Sequence, residues 1–334
     1  MFLVVKVAQE NTEEEGKEGQ RFVLHIIKLN RHMKTRIGLL SIVGIFIISL
    51  NACKKDRIEK SKNEYEPVNS YLDVKKQQEQ EFVINGPSND TIIGNQGTKL
   101  LAGKDCLMFP NGDSVHYPFS VKLVELYTPK DMMYWQMPTV AAGNILETDG
   151  EIRVRATKNN QDLVLRPNCA YGVQMPNGAP KNNMNAFYGF DTGSFFDWTD
   201  NPASLGVTTS VSPTFNIIPY GYEALIARLG WLNCGKLANN GSGNTISFTS
   251  STDYLENVGI FIYFPTTKSV MQVYNMTSGL IPTGTSVKIV MIAVDGGGNL
   301  FHYYNSMTIS ANTTLEVSLS SITDPNLTAL LDGL

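Results

Sequence analysis

From Phe82 onward the chain is built of short runs in which apolar and polar residues alternate, each run cut off after a few positions by Gly, Asn, Asp or Pro. A period of two is what a strand with one buried and one wet face requires. Phe119-Ser-Val-Lys-Leu123, Ile152-Arg-Val-Arg-Ala156, Thr245-Ile-Ser-Phe-Thr249, residues 287–294 and Leu315-Glu-Val-Ser-Leu319 all follow it. Between them, Pro110-Asn-Gly-Asp113, Thr148-Asp-Gly150 and Asp295-Gly-Gly-Gly-Asn299 supply residues that tolerate positive φ, and the last reads as a hairpin turn. The pattern predicts a mainly β protein with two β-sandwich-like domains and few short helices. The helices are expected at 222–229 and at 324–331, the second opened by Asp324-Pro325.

With 10% aromatic and 42% hydrophobic residues, the chain can fill more than one core, so two domains are expected in 334 residues. A polar, turn-rich stretch at 197–205 is the natural boundary, giving domains at 82–200 and 201–334. Residues 53–81 are charged and Gln-rich, and read as a polar tether.

Upstream, Lys34 and Arg36 precede an apolar run over 37–50, and Leu50-Asn51-Ala52-Cys53 follows it. The run is short for a spanning helix, which needs about 20 residues, and of the length of a secretory signal. Its end resembles the lipobox of bacterial lipoproteins. That resemblance implies removal of 33–52 as a signal peptide and diacylation of Cys53, which becomes an N-terminus held in a membrane by its lipid. Residues 1–32, with the acidic run Glu13 to Glu15, suit neither a signal nor a core and read as a misassigned upstream start. A lysine directly after Cys53 resembles the enterobacterial sorting signal for the outer membrane. The expected location is therefore the bacterial cell envelope, on its periplasmic or its surface face.

Residues 85–175 resemble a ZU5-type β-sandwich in the order Asn95-Gln-Gly-Thr-Lys-Leu-Leu101, Asp105-Cys-Leu-Met-Phe-Pro110 and 121–126. The resemblance implies a protein-interaction module. The self-cleaving His-Phe-Ser string of some members is not present; His116-Tyr-Pro-Phe-Ser120 is the nearest and is spaced differently. The whole chain also resembles lipoproteins of Bacteroidetes that combine Leu146-Glu-Thr-Asp-Gly150 with Gly230-Trp-Leu-Asn-Cys234. Those relatives often carry aspartate where Gly235 stands here, and the resemblance brings no activity with it.

Catalytic signals are few. From Cys53 onward the chain has two histidines, His116 and His302, with no GxSxG elbow or HExxH helix, so no catalytic residue, metal site or cofactor is assigned and the chain reads as a non-enzyme. Carboxylates at Asp191, Asp197 and Asp200 match no calcium-loop spacing and read as turn residues. Cys106, Cys169 and Cys234 allow one disulfide, but their apolar surroundings favour buried thiols. The same stretch carries 20 Lys and Arg against 26 Asp and Glu, a net charge of −6 with no basic block beyond the residues just after Cys53, which excludes a nucleic-acid footprint. Trp135, Trp198 and Trp231 could stack against a sugar if they share an exposed face; packing in the core is the competing reading. The expected role is anchored binding or structure, with a protein or glycan partner. The alternatives are a glycan-binding module using those aromatics and a lipid-anchored hydrolase without a recognisable motif.

Overall fold

The computed structural model describes residues 61–87, 91–238 and 242–334. The expectations for residues 1–32, for a signal peptide at 33–52 and for Cys53 lie outside them. The protein is mainly β, as the alternation requires.

Eleven strands build the first lobe: β1 (Gln80–Ile84), β2 (Thr91–Ile93), β3 (Lys99–Leu101), β4 (Phe119–Leu126), β5 (Asn144–Lys158), β6 (Tyr171–Pro176), β7 (Asn185–Asp191), β8 (Phe196–Thr199), β9 (Asn216–Ile218), β10 (Gly221–Ile226) and β11 (Gly230–Leu237). One antiparallel sheet runs β1-β4-β5-β11-β7-β8, with short strands at Val140–Ala141 and Gln161–Asp162 added to β5. The second runs β9-β10-β6-β3-β2. Val121, Leu123, Ile152, Val154, Tyr188 and Leu232 from the first sheet meet Leu100, Val173, Met175, Tyr222 and Ala224 from the second in one buried core. This is a sandwich of two sheets, each strand sending alternate residues inward.

Seven strands form the second lobe: β12 (Ile246–Thr249), β13 (Gly259–Phe264), β14 (Ser269–Val273), β15 (Ser286–Val294), β16 (Leu300–Thr308), β17 (Thr313–Glu316) and β18 (Ser320–Ile322). Their main sheet is β14-β13-β15-β16-β18, and β12 pairs in parallel with β17. Every residue of β13 is buried. Its run Gly-Ile-Phe-Ile-Tyr-Phe is apolar without alternation because both faces of the strand are covered. Ile260, Ile262 and Phe264 face the core of the second lobe. Phe261 and Tyr263 face the other way, meeting Leu126, Leu146, Phe187 and Trp198 from the outer face of the first sandwich. The hairpin at 295–299 joins β15 to β16 as expected.

Three helices close the space between the lobes: α1 (Asn69–Lys75), α2 (Pro129–Trp135) and α3 (Asp324–Asp332), the last in the place the sequence indicated. α2 starts at Thr128, whose side-chain oxygen accepts the Asp131 N–H, with Pro129 in the first turn.

Four expectations are corrected. The boundary at 197–205 cuts through a sandwich, because β11 hydrogen-bonds between β5 and β7 at the centre of the first sheet; that lobe closes at Leu237. The helix expected at 222–229 is the strand β10, in which Tyr222, Ala224 and Ile226 are buried while Glu223 and Leu225 are exposed. The tether expected over 53–81 is docked from residue 61. Tyr65, Val68 and Leu72 are buried against the second lobe, at spacings of three and four residues that the high local charge concealed. Tyr65 and Asn63 donate hydrogen bonds of 2.6 and 2.9 Å to Asp253. Hydrogen bonding outweighs the opposing burial and holds this carboxyl down at about 2. The buried thiols expected at the cysteines are corrected at two of them: Cys106 and Cys169 form a disulfide, and Cys234 is a buried free thiol.

Leu72 is fully buried between the lobes. Leu72→Ala is expected to cost about 2–5 kcal/mol, the usual range for a buried leucine, measured as a lower midpoint in urea unfolding. A true tether residue would leave the midpoint unmoved.

Candidate functional site

The two motifs of the Bacteroidetes resemblance, some eighty positions apart in the chain, are neighbours across β5 and β11. Arg153 pairs with Trp231, Ile152 with Leu232 and Glu151 with Asn233, and the register shifts between Asn233 and Gly235. Gly235 is required there: a Cβ would lie 2.5 Å from Asn233 Oδ1 and 2.8 Å from the Glu147 carbonyl oxygen. Gly150, at φ +135°, takes the matching kink on β5.

The acids of this bulge are occupied. Asp149 has a fully buried carboxylate that accepts from the Tyr222 hydroxyl at 2.5 Å and lies 3.5 Å from Lys181 Nζ and 3.3 Å from Lys268 Nζ. Glu147 pairs with Lys181 at 2.6 Å and Lys236 at 3.4 Å. Deeper in, Thr148 donates to Asn233 at 3.1 Å and Asn233 donates to Glu151 at 2.9 Å. Glu151 Oε2 has no hydrogen-bond partner, and burial pushes this carboxyl up to about 8. Burial also raises the Cys234 thiol well above its usual value, which keeps it an unreactive apolar filler. These groups fix the fold and offer no open site for a reactant.

The open site lies farther along the same two strands, on the outer face of the first sheet. Arg153 and Arg155 are two apart on β5, so both project outward. The Arg153 guanidinium sits 5.7 Å from the Trp231 ring centre. Phe196 crosses β7 where Gly189 leaves room, since a Cβ at 189 would lie 2.5 Å from the ring. The Phe196 and Trp231 rings meet edge-to-face at 6.5 Å. These residues, with Arg228 and Asp191, line a cavity of about 390 Å³. A second cavity of about 430 Å³ shares Leu163, Arg228 and Leu229 with the first and adds Arg166.

All four arginines of the described residues therefore line two adjoining cavities, and none of their lysines does. Arg155 is paired with Glu79 at 3.1 Å and Asp162 at 2.9 Å. Arg153 reaches only the already shared Glu79, at 3.6 Å. Arg228 donates to the Gly189 carbonyl at 2.9 Å, and Arg166 to the Ser114 hydroxyl at 3.1 Å. Partial burial lowers the pKa of Arg153 and Arg228. Guanidinium does not lose its proton at any ordinary pH, so the shift expresses a charge that has lost water without gaining a full counter-charge. An incoming anion would complete it.

Of the three tryptophans singled out in the sequence, only Trp231 lines this cavity. Trp135 is half-buried behind it, with ring centres 5.4 Å apart and Lys76 at 5.3 Å from its other side. Trp198 is buried between the lobes and donates to the Pro138 carbonyl at 2.7 Å, so it cannot stack on a ligand. The arginines were overlooked, although Arg153-Val-Arg155 within an alternating run places two cations on one wet face. His116 lies on an exposed loop, and His302 stands in the second lobe with Nδ1 3.1 Å from the Ser320 carbonyl. Among the described residues no three His, Cys, Asp or Glu are grouped to hold a metal.

The Glu151 carboxyl gives a signed pH dependence. Its folded pKa, about 8, lies above the ordinary value of 4.5. The unfolded chain therefore releases this proton first as pH rises, and the group's contribution to stability is lost across that window, at about 1 kcal/mol per pH unit. Glu151→Gln, which cannot ionise, is expected to be increasingly more stable than the wild type from pH 5 to 8 in paired denaturant titrations. A constant difference across that range would refute the assignment.

No protein-family model matches the chain, and no curated protein matches it. Among solved structures, a gamma-CGTase from alkalophilic Bacillus clarkii aligns with 74% of this chain and 42% of its own at 10% identity and a TM-score of 0.17, a likeness that carries no argument about fold or activity.

Proposed function

We propose that this protein is lipid-anchored at the bacterial cell envelope, through Cys53, and serves there as a non-catalytic binding protein whose ligand site is the arginine–tryptophan groove. The observation that carries the binding role is the gathering of all four arginines of the described residues on two adjoining cavities, two of them partly desolvated and short of counter-charge. Arg153 has one carboxylate shared with Arg155 and Arg228 one backbone carbonyl, fewer acceptors than the five N–H groups of a guanidinium can use, and an incoming anion would take up the remainder.

Two further observations support the compartment. The charged start, the short apolar run and the small residue before Cys53 fall in the order that lipoprotein processing requires. The Cys106–Cys169 disulfide fits an oxidising environment outside the cytoplasm. The non-catalytic reading is supported by Glu147 and Asp149 of the β5 bulge, which are paired with Lys181, Lys236, Lys268 and Tyr222, Asp149 being closed to solvent.

Intact-mass and N-terminal analysis of the protein taken from native membranes tests the anchor. The expected result is a blocked, diacylated Cys53 as first residue, with Cys53→Ala accumulating an unlipidated chain that keeps residues 33–52. A chain that begins at Met1 and keeps residues 33–52 would overturn it.

A further inference from the structure

The geometry points to a site for an acidic polysaccharide spanning the two neighbouring cavities, with a sugar ring packed on Trp231 and Phe196 and its anionic groups held by Arg153, Arg228 and Arg166. This deepens the binding reading above and rests on it.

The first argument is length. Leu163, Arg228 and Leu229 line both cavities, so the two volumes are neighbours that share a wall. Single small ligands fill one pocket of roughly 300–1,000 Å³ that encloses them; two adjoining clefts, each open to solvent, suit successive units of a chain. Guanidinium groups serve both cavities, with Arg153 in the first, Arg166 in the second and Arg228 in both. Cations divided between two neighbouring cavities favour a ligand that presents more than one charge.

The second argument is the mixture of groups. Trp231 and Phe196 offer apolar ring surface against which the C–H face of a sugar packs, and Arg153 already lies against the Trp231 ring at 5.7 Å, held for bidentate contact with a carboxylate or sulfate. Asp191 and Asp162 lie among the arginines in the first cavity. These carboxylates accept hydrogen bonds from ligand hydroxyls and would repel a polyanion that has no donors. A polyphosphate chain mismatches that rim, whereas a polyhydroxylated acid satisfies both kinds of group. The absence of lysine from both cavities argues in the same direction, since guanidinium is the cation shaped for planar, two-pronged anions.

The full chain in neutral detergent is titrated calorimetrically with a galacturonate hexasaccharide, a heparin hexasaccharide, neutral cellohexaose and single-stranded oligo-dT, at about 50 and about 300 mM salt. The acidic hexasaccharides should bind, more weakly at the higher salt, and cellohexaose and oligo-dT should not. Arg228→Gln and Trp231→Ala should each weaken binding by about tenfold or more. Arg166→Gln should weaken the hexasaccharides while leaving the matching disaccharide unchanged. The Arg166 guanidinium donates to the exposed Ser114 hydroxyl, and the backbone hydrogen bonds of this residue do not involve its side chain, so this variant keeps the test informative if Trp231→Ala fails to fold. No binding of either acidic hexasaccharide, or tighter binding of cellohexaose or oligo-dT, overturns the acidic-polysaccharide assignment. If one of those other probes binds and Arg228→Gln abolishes it, the groove stands as a binding site and only its ligand class falls. If a probe binds and no groove variant changes its affinity, the binding reading of the groove falls as well.

Discussion

The Asp149 carboxylate, buried at the kink of the longest strand, is the constraint around which the two lobes are arranged. A charge withdrawn from water is tolerated only with good partners, and removing one partner of such a group ordinarily costs about 3–5 kcal/mol. Asp149 takes its partners from three places: Tyr222 in the second sheet of the first sandwich, Lys181 in the loop before β7, and Lys268 in the turn between β13 and β14 of the second lobe. The backbone reinforces the last link, since Thr148 N–H donates to the Thr267 carbonyl and the Ser269 hydroxyl to the Leu146 carbonyl. One carboxylate thus fixes sheet to sheet and lobe to lobe.

That junction decides which part of the outer sheet face stays open. At the Leu146 end of β5 the face is covered by α2 and by Phe261, Tyr263 and Val270 of the second lobe. Farther along, Glu151 is still buried, and only at Arg153 and Arg155 does the strand reach the groove. The aromatic residues continue across the divide, from buried Trp198 through Phe196 to half-buried Trp231 and Trp135, each ring edge-on to the next. Trp231 is therefore held by the core on one side and presented to the cavity on the other. A ring fixed in this way loses little entropy when a ligand packs on it, and the same applies to Arg228, pinned through the Gly189 carbonyl.

What the sequence made legible was the part of the fold governed by a local period. Alternation located β4, β5 and β15, the Asp295-to-Asn299 turn located its hairpin, and Asp324-Pro325 located α3. It failed where tertiary contacts outweighed local character. Residues 222–229 contain good helix formers, yet the hydrogen-bonding edge of β6 takes them as a strand. Tyr65, Val68 and Leu72 are three apolar residues in a charged segment, too few to show in composition but enough to dock it. The boundary at 197–205 failed because the strand that completes the first sheet, β11, arrives after it, and pairing between strands this far apart leaves no local mark. Of the site, Trp231 was legible as an aromatic but not its company: Arg153, Gly189, Phe196 and Arg228 come from four separate stretches of chain.

Net charge was the least informative quantity, and the reason is physical. A value of −6 from Cys53 onward describes a mildly acidic body, yet the cations are sorted by type. Lysines serve as counter-charges within the fold: Lys75 and Lys130 to carboxylates of α3, and Lys181, Lys236 and Lys268 to the acids of the β5 bulge, Lys181 reaching both Glu147 and Asp149. A compact ammonium on a flexible stem suits that task, acting as a point charge. The arginines line the two cavities, and of the four only Arg155 has two carboxylate partners within 3.1 Å, one of them shared with Arg153. Their planar, weakly hydrated heads keep their charge in partly buried positions where a lysine would tend to lose its proton. An acidic protein can therefore hold a local site for acids, because its lysines balance the fold and leave the arginines along the groove for a ligand.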